Sequence, residues 1–421
     1  MNISFRKSKL RLFVISMLLC VTFITDNFFS SEFAFVLFSV IILSLVMFNG
    51  FKVRLNPQLV VIFATFFCLG IIIGIIEFDL KRSVKDIWYF GRPILYFLGG
   101  ALVFRIYGNS LPVLKLFLFI AIISAAEYLI PVVISFDDFL NLGPDDFRDK
   151  YGKGSALFTF GIAFCFYYYD KGVLGKKTLF LFILIFGFSL FLIQSRLSIL
   201  MLLFFLLAKV RSKLYHNLIF VLLFSIIILF SIPKSTVEPV FSERQNFVSK
   251  TFSSLNELRP QKYIFDRDIH TNWRGHETYV AMTQFYSNSL FFKMVGGGFG
   301  STVYIDFEKR GGAGDLSETR LSQLDWLHNG YVTILLKTGL LGFIAYIVLC
   351  FKILARCRQY QLDGALSSTC LCFLYYFIVS TFLIGGLFAK SGTMILLFTF
   401  GFIFENLKWM INEDFTRTSK R

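Results

Sequence analysis

The sequence predicts an all-α polytopic integral membrane protein with about 12 transmembrane helices and one large outer, periplasmic loop. Of its 421 residues, 56% are apolar and only 16% are Asp, Glu, Lys or Arg, where about 25% is usual in a soluble domain. The mean hydropathy is +0.68. A soluble fold of this size cannot bury so much apolar surface, so soluble enzymes and disordered proteins are excluded.

The apolar residues are grouped into twelve stretches, each close to the length that a helix needs to cross a bilayer. The cores of the predicted spans are 11–25, 33–49, 58–78, 93–107, 113–134, 155–170, 178–194, 197–210, 217–232, 328–353, 366–387 and 391–407. Nine spans thus fall in 1–232, the large loop in 233–327, and three spans with a tail in 328–421. The 56 Phe residues are predicted to replace Leu as lipid-facing filler.

Lys and Arg residues fix the predicted orientation. Every second gap between spans, counted from the N-terminus, carries a cluster of cations, and cytoplasmic loops are rich in Lys and Arg. The clusters contain Arg6, Lys7, Lys9, Arg11, Lys52, Arg54, Arg105, Lys171, Lys176, Lys177, Lys209, Arg211, Lys213, Lys352, Arg356, Arg358, Lys408, Arg417, Lys420 and Arg421. Both termini are therefore predicted to be cytoplasmic, and the loop 233–327 lies outside. The net charge of +15 is attributed to these loops and not to nucleic-acid binding.

This topology disfavours chemistry driven by cytosolic nucleotides. Every predicted cytoplasmic segment is about 15 residues or shorter, which is too small for a nucleotide-binding domain, and the sequence contains no Walker motif. An ATP-driven pump and an enzyme that uses cytosolic nucleotide sugars are both disfavoured. The seven Cys residues form neither a disulfide framework nor a zinc spacing. No metal site and no cofactor are predicted.

Cations also occur on the side that should be poor in them. The outer gap after the third span carries Lys81, Arg82, Lys85 and Arg92. One interpretation is an interfacial helix that lies on anionic lipid. The other is a landing site for a lipid diphosphate, in which Arg82 and Arg92 bind the substrate.

Arg196 lies in a turn between two apolar spans at the predicted outer face. A cation so close to hydrocarbon is costly and is by default a functional hypothesis. Its planar guanidinium can grip phosphate oxygens with two parallel hydrogen bonds. The alternative is an Arg that extends to the lipid headgroups.

Glu127 and Lys337 are the deepest charges in the predicted spans. At 1.5 Å per residue, both lie roughly 10–14 Å below the outer surface. Either they pair with each other or with water, or they form a polar floor beneath an outward-facing cavity.

His328 begins a span at the end of the large loop. A helix that starts there exposes its first side chains at the water–membrane boundary, where an imidazole can accept a proton near neutral pH. A structural role, as an anchor or cap of the span, is the alternative. Asp325, three residues earlier, is a candidate to orient the ring.

Three short motifs resemble the O-antigen polymerase and O-antigen ligase superfamily. His328-Asn329-Gly330-Tyr331 followed by Thr338-Gly339-Leu340-Leu341-Gly342 resembles its His-Asn step and the Gly-x-x-Gly turn of the next span. Arg274 and the glycine-rich turn, residues 296–301, resemble the Arg and glycine pattern of the preceding loop. Gln194-Ser195-Arg196 resembles its Ser-Arg step. The resemblance extends over about 178–350.

The resemblance implies a glycosyl transfer from undecaprenyl diphosphate to an acceptor hydroxyl, without a metal, on the periplasmic face of the bacterial inner membrane. Arg196 and Arg274 would hold the diphosphate leaving group, and His328 would take the proton from the acceptor. The glycine-rich turn would allow its backbone to approach the sugar or phosphate closely. The implied substrate-binding residues, beside Arg82 and Arg92, are Gly296, Gly298, Gly300 and Asn329.

The partners implied are the undecaprenyl-diphosphate-linked oligosaccharide, membrane lipid and a chain-length regulator, but no nucleic acid. A polymerase that joins repeat units is favoured, because the Phe-rich sequence is similar to polymerases of variable surface-polysaccharide loci. An O-antigen ligase that transfers the chain to lipid A core is the alternative. A repeat-unit flippase or another transporter is the alternative from a different class, although no internal symmetry between two halves is visible.

Overall fold

The structure is a computed structural model, and it describes residues 2–49, 57–77, 79–108, 112–134, 155–193, 195, 197–198, 201–202, 205, 257–263, 268–269, 272–309, 319–359, 364–385, 388 and 393–418. These ranges are mostly helical. The first seven helices are α1 Asn2–Phe28, α2 Ser31–Phe48, α3 Pro57–Glu77, α4 Leu80–Tyr107, α5 Val113–Ile134, α6 Ser155–Asp170 and α7 Lys176–Ile193. The next elements are α8 Trp273–Ser287, α9 Leu290–Val295, β1 Val303–Lys309 and β2 Thr319–Leu324. The last three helices are α10 Gly330–Gln359, α11 Gly364–Ile384 and α12 Met394–Thr418.

Seven helices in the described ranges are long and apolar enough to cross a membrane. Their candidate spans are Leu10–Phe28, Ser31–Phe48, Leu80–Tyr107, Val113–Ile134, Lys176–Ile193, Gly330–Cys357 and Leu366–Leu383. Val60–Ile75 and Met394–Leu407 are shorter apolar helices. The predicted helical class is therefore confirmed, together with seven helices in the described ranges that could span a membrane. The total of twelve spans stays a prediction, because most of the predicted spans 197–210 and 217–232 lies outside the described residues.

Phenylalanine packs the interfaces between helices as well as facing outward. Phe160 of α6 stacks on Phe373 of α11 with ring centroids 3.9 Å apart, and Phe38 of α2 meets Tyr96 of α4 edge to face at 5.3 Å. These four rings are buried. Lipid-facing filler is therefore only part of the role of Phe. Aromatic pairs in these geometries add about 0.5–1.5 kcal/mol beyond the area they bury.

Helix α4, which carries four of the outer cations, is fixed by close packing on α12. A Cβ atom at Gly100 would lie 1.9 Å from the carbonyl oxygen of Phe398, and one at Gly401 would lie 1.9 Å from that of Phe97. Small residues at a membrane helix interface allow such close backbone approach. The close contacts at Gly100 and Gly401 thus fix the position of α4 against α12.

Helix α10 is broken at Gly339, whose backbone has φ +64° and ψ −167°. The carbonyl groups of Leu336 and Lys337, just before the break, accept hydrogen bonds from the N–H groups of Gly297 and Gly298 at 2.8 and 3.0 Å. Backbone groups freed inside a membrane helix need such partners, because no water is there to replace them. The glycine-rich turn therefore fills the gap in α10.

Two strands modify the all-α prediction. Strands β1 and β2 pair antiparallel, with Val303 opposite Leu324 and Tyr304 opposite Gln323. The alternation of apolar and polar residues in Val303–Lys309 matches the two-residue period of a strand. Both strands, with α8 and α9, fall inside the predicted loop 233–327. The hairpin joins the end of the glycine-rich turn to the residues that precede His328.

Candidate functional site

His328 lies between the end of β2 and the start of α10. Its side chain is 48% exposed, whereas Leu327 before it and Gly330 after it are buried. Buried Leu327 anchors the connection on Ala281, Val303 and Val332. The imidazole is therefore attached to a buried connection and is half exposed to the surroundings, just before a helix that can cross a membrane.

Glu277 of α8 contacts His328 twice. Its Oε1 accepts a hydrogen bond from the backbone N–H of His328 at 2.9 Å, and its Oε2 lies 2.8 Å from Nδ1 of the ring. The Glu277 side chain is only 2% exposed. A neutral ring that donates Nδ1–H to the carboxylate leaves Nε2 with a free lone pair, as in the orienting pair of a catalytic triad. The pair is therefore suited to general-base chemistry at Nε2.

Asp325 was expected to orient His328, and that expectation is wrong. Its Oδ2 accepts from Lys85 at 2.8 Å and its Oδ1 lies 3.2 Å from Nε of Arg82. Residues 325–329 precede α10, so the helical spacing of three residues that the expectation assumed does not apply. Burial acts to raise the pKa of Asp325, but the hydrogen bond and charge of Lys85, with Arg82, outweigh it and lower the pKa.

Arg82, predicted to bind the substrate, forms an ion pair with Asp325, three residues before His328 in the chain. It also lies 3.5 Å from Asp79 at the start of α4. The side chains of Arg82 and Lys85 are partly exposed. The first turns of α4 therefore bind two cations to Asp325, which is three residues before His328 in the chain.

Arg92, the other predicted substrate-binding cation of α4, is not part of this group. It follows Arg82 by ten residues, which is about 15 Å along a helix. It is buried and interacts electrostatically with Glu32 of α2. The structure therefore places Arg92 inside the bundle, where it joins α4 to α2.

Arg274 lies on α8, one turn before Glu277, so both point to the same side of the helix. Its Nε is 3.4 Å from Oε1 of Glu257. Next to Glu277, buried His276 accepts from the backbone N–H of Tyr263 through Nδ1 at 3.3 Å. Burial, with the charge of Lys262, lowers the pKa of His276. Helix α8 thus carries Arg274 and, one turn later, the Glu277 that contacts His328, while segment 257–263 packs on the start of α8 through Glu257 and Tyr263.

Arg196, the third predicted catalytic residue, lies outside the described residues. Its neighbours in the turn are described: the Oγ atoms of Ser195 and Ser198 are 3.0 Å apart. Thr159 of α6 donates through Oγ1 to the carbonyl of Ser198 at 3.0 Å. The turn is therefore attached to α6, and the role of Arg196 stays a prediction.

The glycine-rich turn makes its close approach to protein backbone. The N–H groups of Gly297 and Gly298 donate to α10, that of Phe299 donates to the carbonyl of Gly70 at 2.7 Å, and that of Gly300 donates to Oδ2 of Asp86 at 2.7 Å. Gly296 donates to the carbonyl of Phe292 within its own segment. These protein contacts account for the glycines, and the predicted contact of Gly296, Gly298 and Gly300 with substrate stays a prediction.

Asn329, also predicted to bind substrate, caps α10. Its Oδ1 accepts from the backbone N–H of Tyr331 at 3.1 Å and of Val332 at 3.4 Å. An Asn at this position satisfies N–H groups that the first turn of a helix leaves free. Asn329 thereby fixes the start of α10 directly after His328.

Lys337 has a different partner from the one proposed for it. Its Nζ lies 2.5 Å from Oδ2 of Asp86 and 2.5 Å from the carbonyl oxygen of Ser301. Glu127 is exposed on α5. The predicted pairing of Lys337 with Glu127 is therefore replaced by a buried connection between α10, α4 and the glycine-rich turn.

The sequence offered one signal for Glu277 that was missed. Glu277, Ala281 and Phe285 are spaced by four residues, which places them on one face of α8, and all three are buried. A carboxylate on an otherwise apolar face needs a partner.

Among the described residues, no group of three or more His, Cys, Asp or Glu side chains is arranged to hold a metal ion.

Comparison with known proteins yields no relative: no family model, no curated protein and no solved structure matches the chain.

Proposed function

We propose that the protein is a membrane glycosyltransferase that polymerises undecaprenyl-diphosphate-linked oligosaccharide repeat units into O-antigen or a capsular polysaccharide. The observation that carries the proposal is the contact between buried Glu277 and half-exposed His328, at the junction of the predicted outer loop and α10. An oriented base in this place suits a reaction between a donor held in lipid and an acceptor in water.

In the proposed reaction, Nε2 of His328 takes the proton from an acceptor sugar hydroxyl as that oxygen attacks the anomeric carbon of the donor. The bond from this carbon to the diphosphate breaks, and Glu277 stabilises the imidazolium that forms. A positioned base typically contributes roughly 10²–10⁴-fold to such a step. Arg274 and Arg196 would stabilise the charge that develops on the diphosphate.

The proposed location is the bacterial inner membrane, with both termini cytoplasmic and the site on the periplasmic face. The positive-inside distribution of Lys and Arg supports this orientation. The membrane must then deliver the donor, and a regulator of chain length is a further proposed partner. An O-antigen ligase would use the same chemistry, with lipid A core as the acceptor.

A repeat-unit flippase is the second candidate, because one feature favours it. Helix α10 is broken inside a candidate membrane span, and broken helices line the substrate sites of many transporters. In this protein, however, the N–H groups of Gly297 and Gly298 fill the break. The break therefore gives weaker support to transport than the Glu277–His328 pair gives to catalysis.

One experiment separates these functions. His328→Gln is expressed in the source bacterium without its chromosomal copy, and surface polysaccharide is resolved by size; His216→Gln is the matched control. If the protein is a polymerase, the His328→Gln strain should carry single repeat units on the lipid A core without the ladder of longer chains, because Gln forms hydrogen bonds but cannot act as a base. Loss of single units as well would indicate transport, and polymer left on its lipid carrier would indicate a ligase. A wild-type ladder at normal expression would remove His328 from catalysis.

A further inference from the structure

Lys337 and Asp86 form an ion pair deep in the described part of the bundle. The side chains are 3% and 1% exposed. Such pairs cost desolvation energy that their attraction need not repay, and Oδ1 of Asp86 has no hydrogen-bond partner within the described residues. Stability alone is therefore a poor explanation for this pair.

The pair connects two elements of the bundle to the glycine-rich turn. Oδ2 of Asp86 on α4 accepts from Lys337 and from the N–H of Gly300, while Lys337 on α10 also donates to the carbonyl of Ser301. Ser83, one turn before Asp86, donates to the carbonyl of Phe299 at 2.9 Å. Both ends of this segment of the turn are therefore bound to charged or polar side chains of the bundle.

The segment that follows the turn is bound to α8. Nε2 of Gln284 donates to the carbonyl of Thr302 at 2.9 Å, and Oε1 of Gln284 accepts from the N–H of Tyr304 at 3.2 Å. Gln284 follows Glu277 by seven residues, which is two helical turns, so both lie on the same side of α8. Gln284 thus connects the segment after the turn to the side of α8 that carries Glu277.

These contacts close a ring. Lys337 contacts Asp86 and the glycine-rich turn, and the segment after the turn contacts α8. On α8, Glu277 contacts His328, and the first part of α10 leads from His328 back to Lys337. We call it the contact ring. Lys337 and His328, which carry the two side-chain pairs of the ring, are nine residues apart in the chain.

We propose that Lys337 is a positioning residue, which acts through Asp86 and Ser301 to fix the contact between Glu277 and His328. Without the ammonium group, the Asp86 carboxylate loses one of its two donors and the Ser301 carbonyl loses the donor from Lys337. The turn is then released, and α8 shifts relative to α10. A displacement of about 1 Å at a reacting centre can lower a rate by about 10²-fold.

The test compares Lys337→Met with the double variant Asp86→Leu, Lys337→Met. Removing one partner of a buried pair is destabilising, whereas apolar replacement of both is often neutral, so the double variant separates positioning from stability. Lys352→Met, on the same helix beyond the break, is the control. Hydrogen–deuterium exchange of the purified full chain reports residues 296–304 and 325–332, and thermal unfolding reports stability.

For the double variant we expect unfolding within a few degrees of wild type, with exchange in 296–304 and 325–332 at least about tenfold faster. Wild-type exchange in 325–332 with both partners removed would overturn the proposal.

The activity arm rests on the proposed function: the double variant should lose the ladder of long chains despite its normal stability. If the double variant had both a wild-type ladder and wild-type exchange, the pair would have only a stabilising role, and the inference would be overturned. Faster exchange in 325–332 with an intact ladder would support the positioning and contradict the role of His328 in polymerisation, so the two failures are distinguishable.

Discussion

Glu277 and His328 are separated by 51 residues in the chain, yet one carboxylate holds both the backbone and the ring of the histidine. The backbone contact sets where residue 328 lies, and the ring contact sets its rotation and tautomer. Because Glu277 is buried and His328 is half exposed, the orienting group is shielded while the base stays open to a ligand.

Glu277→Gln tests this relationship. An amide offers one acceptor and one donor, so Gln cannot accept from both the backbone N–H and Nδ1–H of His328. We expect the rate of polymer formation to fall by roughly 10²-fold or more, because the base loses its favoured tautomer. The ladder of chain lengths at matched expression measures it, with Glu127→Gln on α5 as the control. A full ladder from Glu277→Gln would show that the carboxylate does not orient a catalytic base.

Arg274→Lys tests whether Arg274 grips a diphosphate. Lysine keeps the charge but cannot form two parallel hydrogen bonds, so we expect polymer to be nearly absent, as with Arg274→Ala. The ion pair with Glu257 is partly exposed and contributes less than about 1 kcal/mol. Glu257→Gln breaks the same pair while keeping the arginine, and it should leave the ladder intact. Equal losses from Glu257→Gln and Arg274→Lys would assign Arg274 a structural role.

Gly298→Ala should prevent correct packing of the glycine-rich turn. Gly298 has φ +77°, and an added Cβ would lie 2.1 Å from the backbone nitrogen of Gly74 on α3. The left-handed conformation alone costs about 1–2 kcal/mol for alanine, and the overlap adds to it. Gly187→Ala on α7, where nothing lies within 4 Å, is the control. Thermal unfolding in detergent compares the two, and similar midpoints would contradict the described position of the turn.

The lowered pKa of Asp325 predicts a loss of stability in acid. The folded pKa lies below the unfolded value of about 3.9, so the stabilisation is fully present above that pH and is lost as the pH falls through the folded pKa. We expect the unfolding midpoint to drop between about pH 5 and about pH 3 more steeply in wild type than in Asp325→Asn. Parallel pH curves for the two proteins would show that Lys85 and Arg82 do not stabilise the ionised carboxylate.

Local sequence patterns predicted the helices, but they could not predict contacts between residues that are distant in the sequence. Hydropathy located α10 and the position of His328 at its head, because both depend on residues adjacent in the chain. The partners of His328 and Lys337 are Glu277 and Asp86, which are distant in sequence, so no spacing rule could indicate them. Charge counting on α4 treated Arg82 and Arg92 alike, since it carries no information about which cation turns into the bundle.

The glycine-rich turn shows a second limit. The resemblance implied a close approach of its backbone to sugar or phosphate. The structure has a close approach to protein, and the same glycines would serve a ligand or a protein surface equally well. Only the acceptors on Gly70, Asp86 and α10 distinguish the two, and these lie on three separate helices. The glycines therefore indicated that the backbone of the turn is closely approached, but the protein partners that approach it could not be deduced from them.

The break in α10 also has a consequence for biogenesis. The groups that fill it belong to the glycine-rich turn, and the turn is held in part by Gly70 of α3 and by Ser83 and Asp86 of α4. All of these groups leave the ribosome before Gly339. At about 5–20 residues per second of synthesis, the turn waits for seconds with its N–H groups unclaimed by α10. The insertion machinery must therefore accept α10 as two half-helices. The carbonyl groups at the break between them are bound only by the glycine-rich turn, which was synthesised earlier.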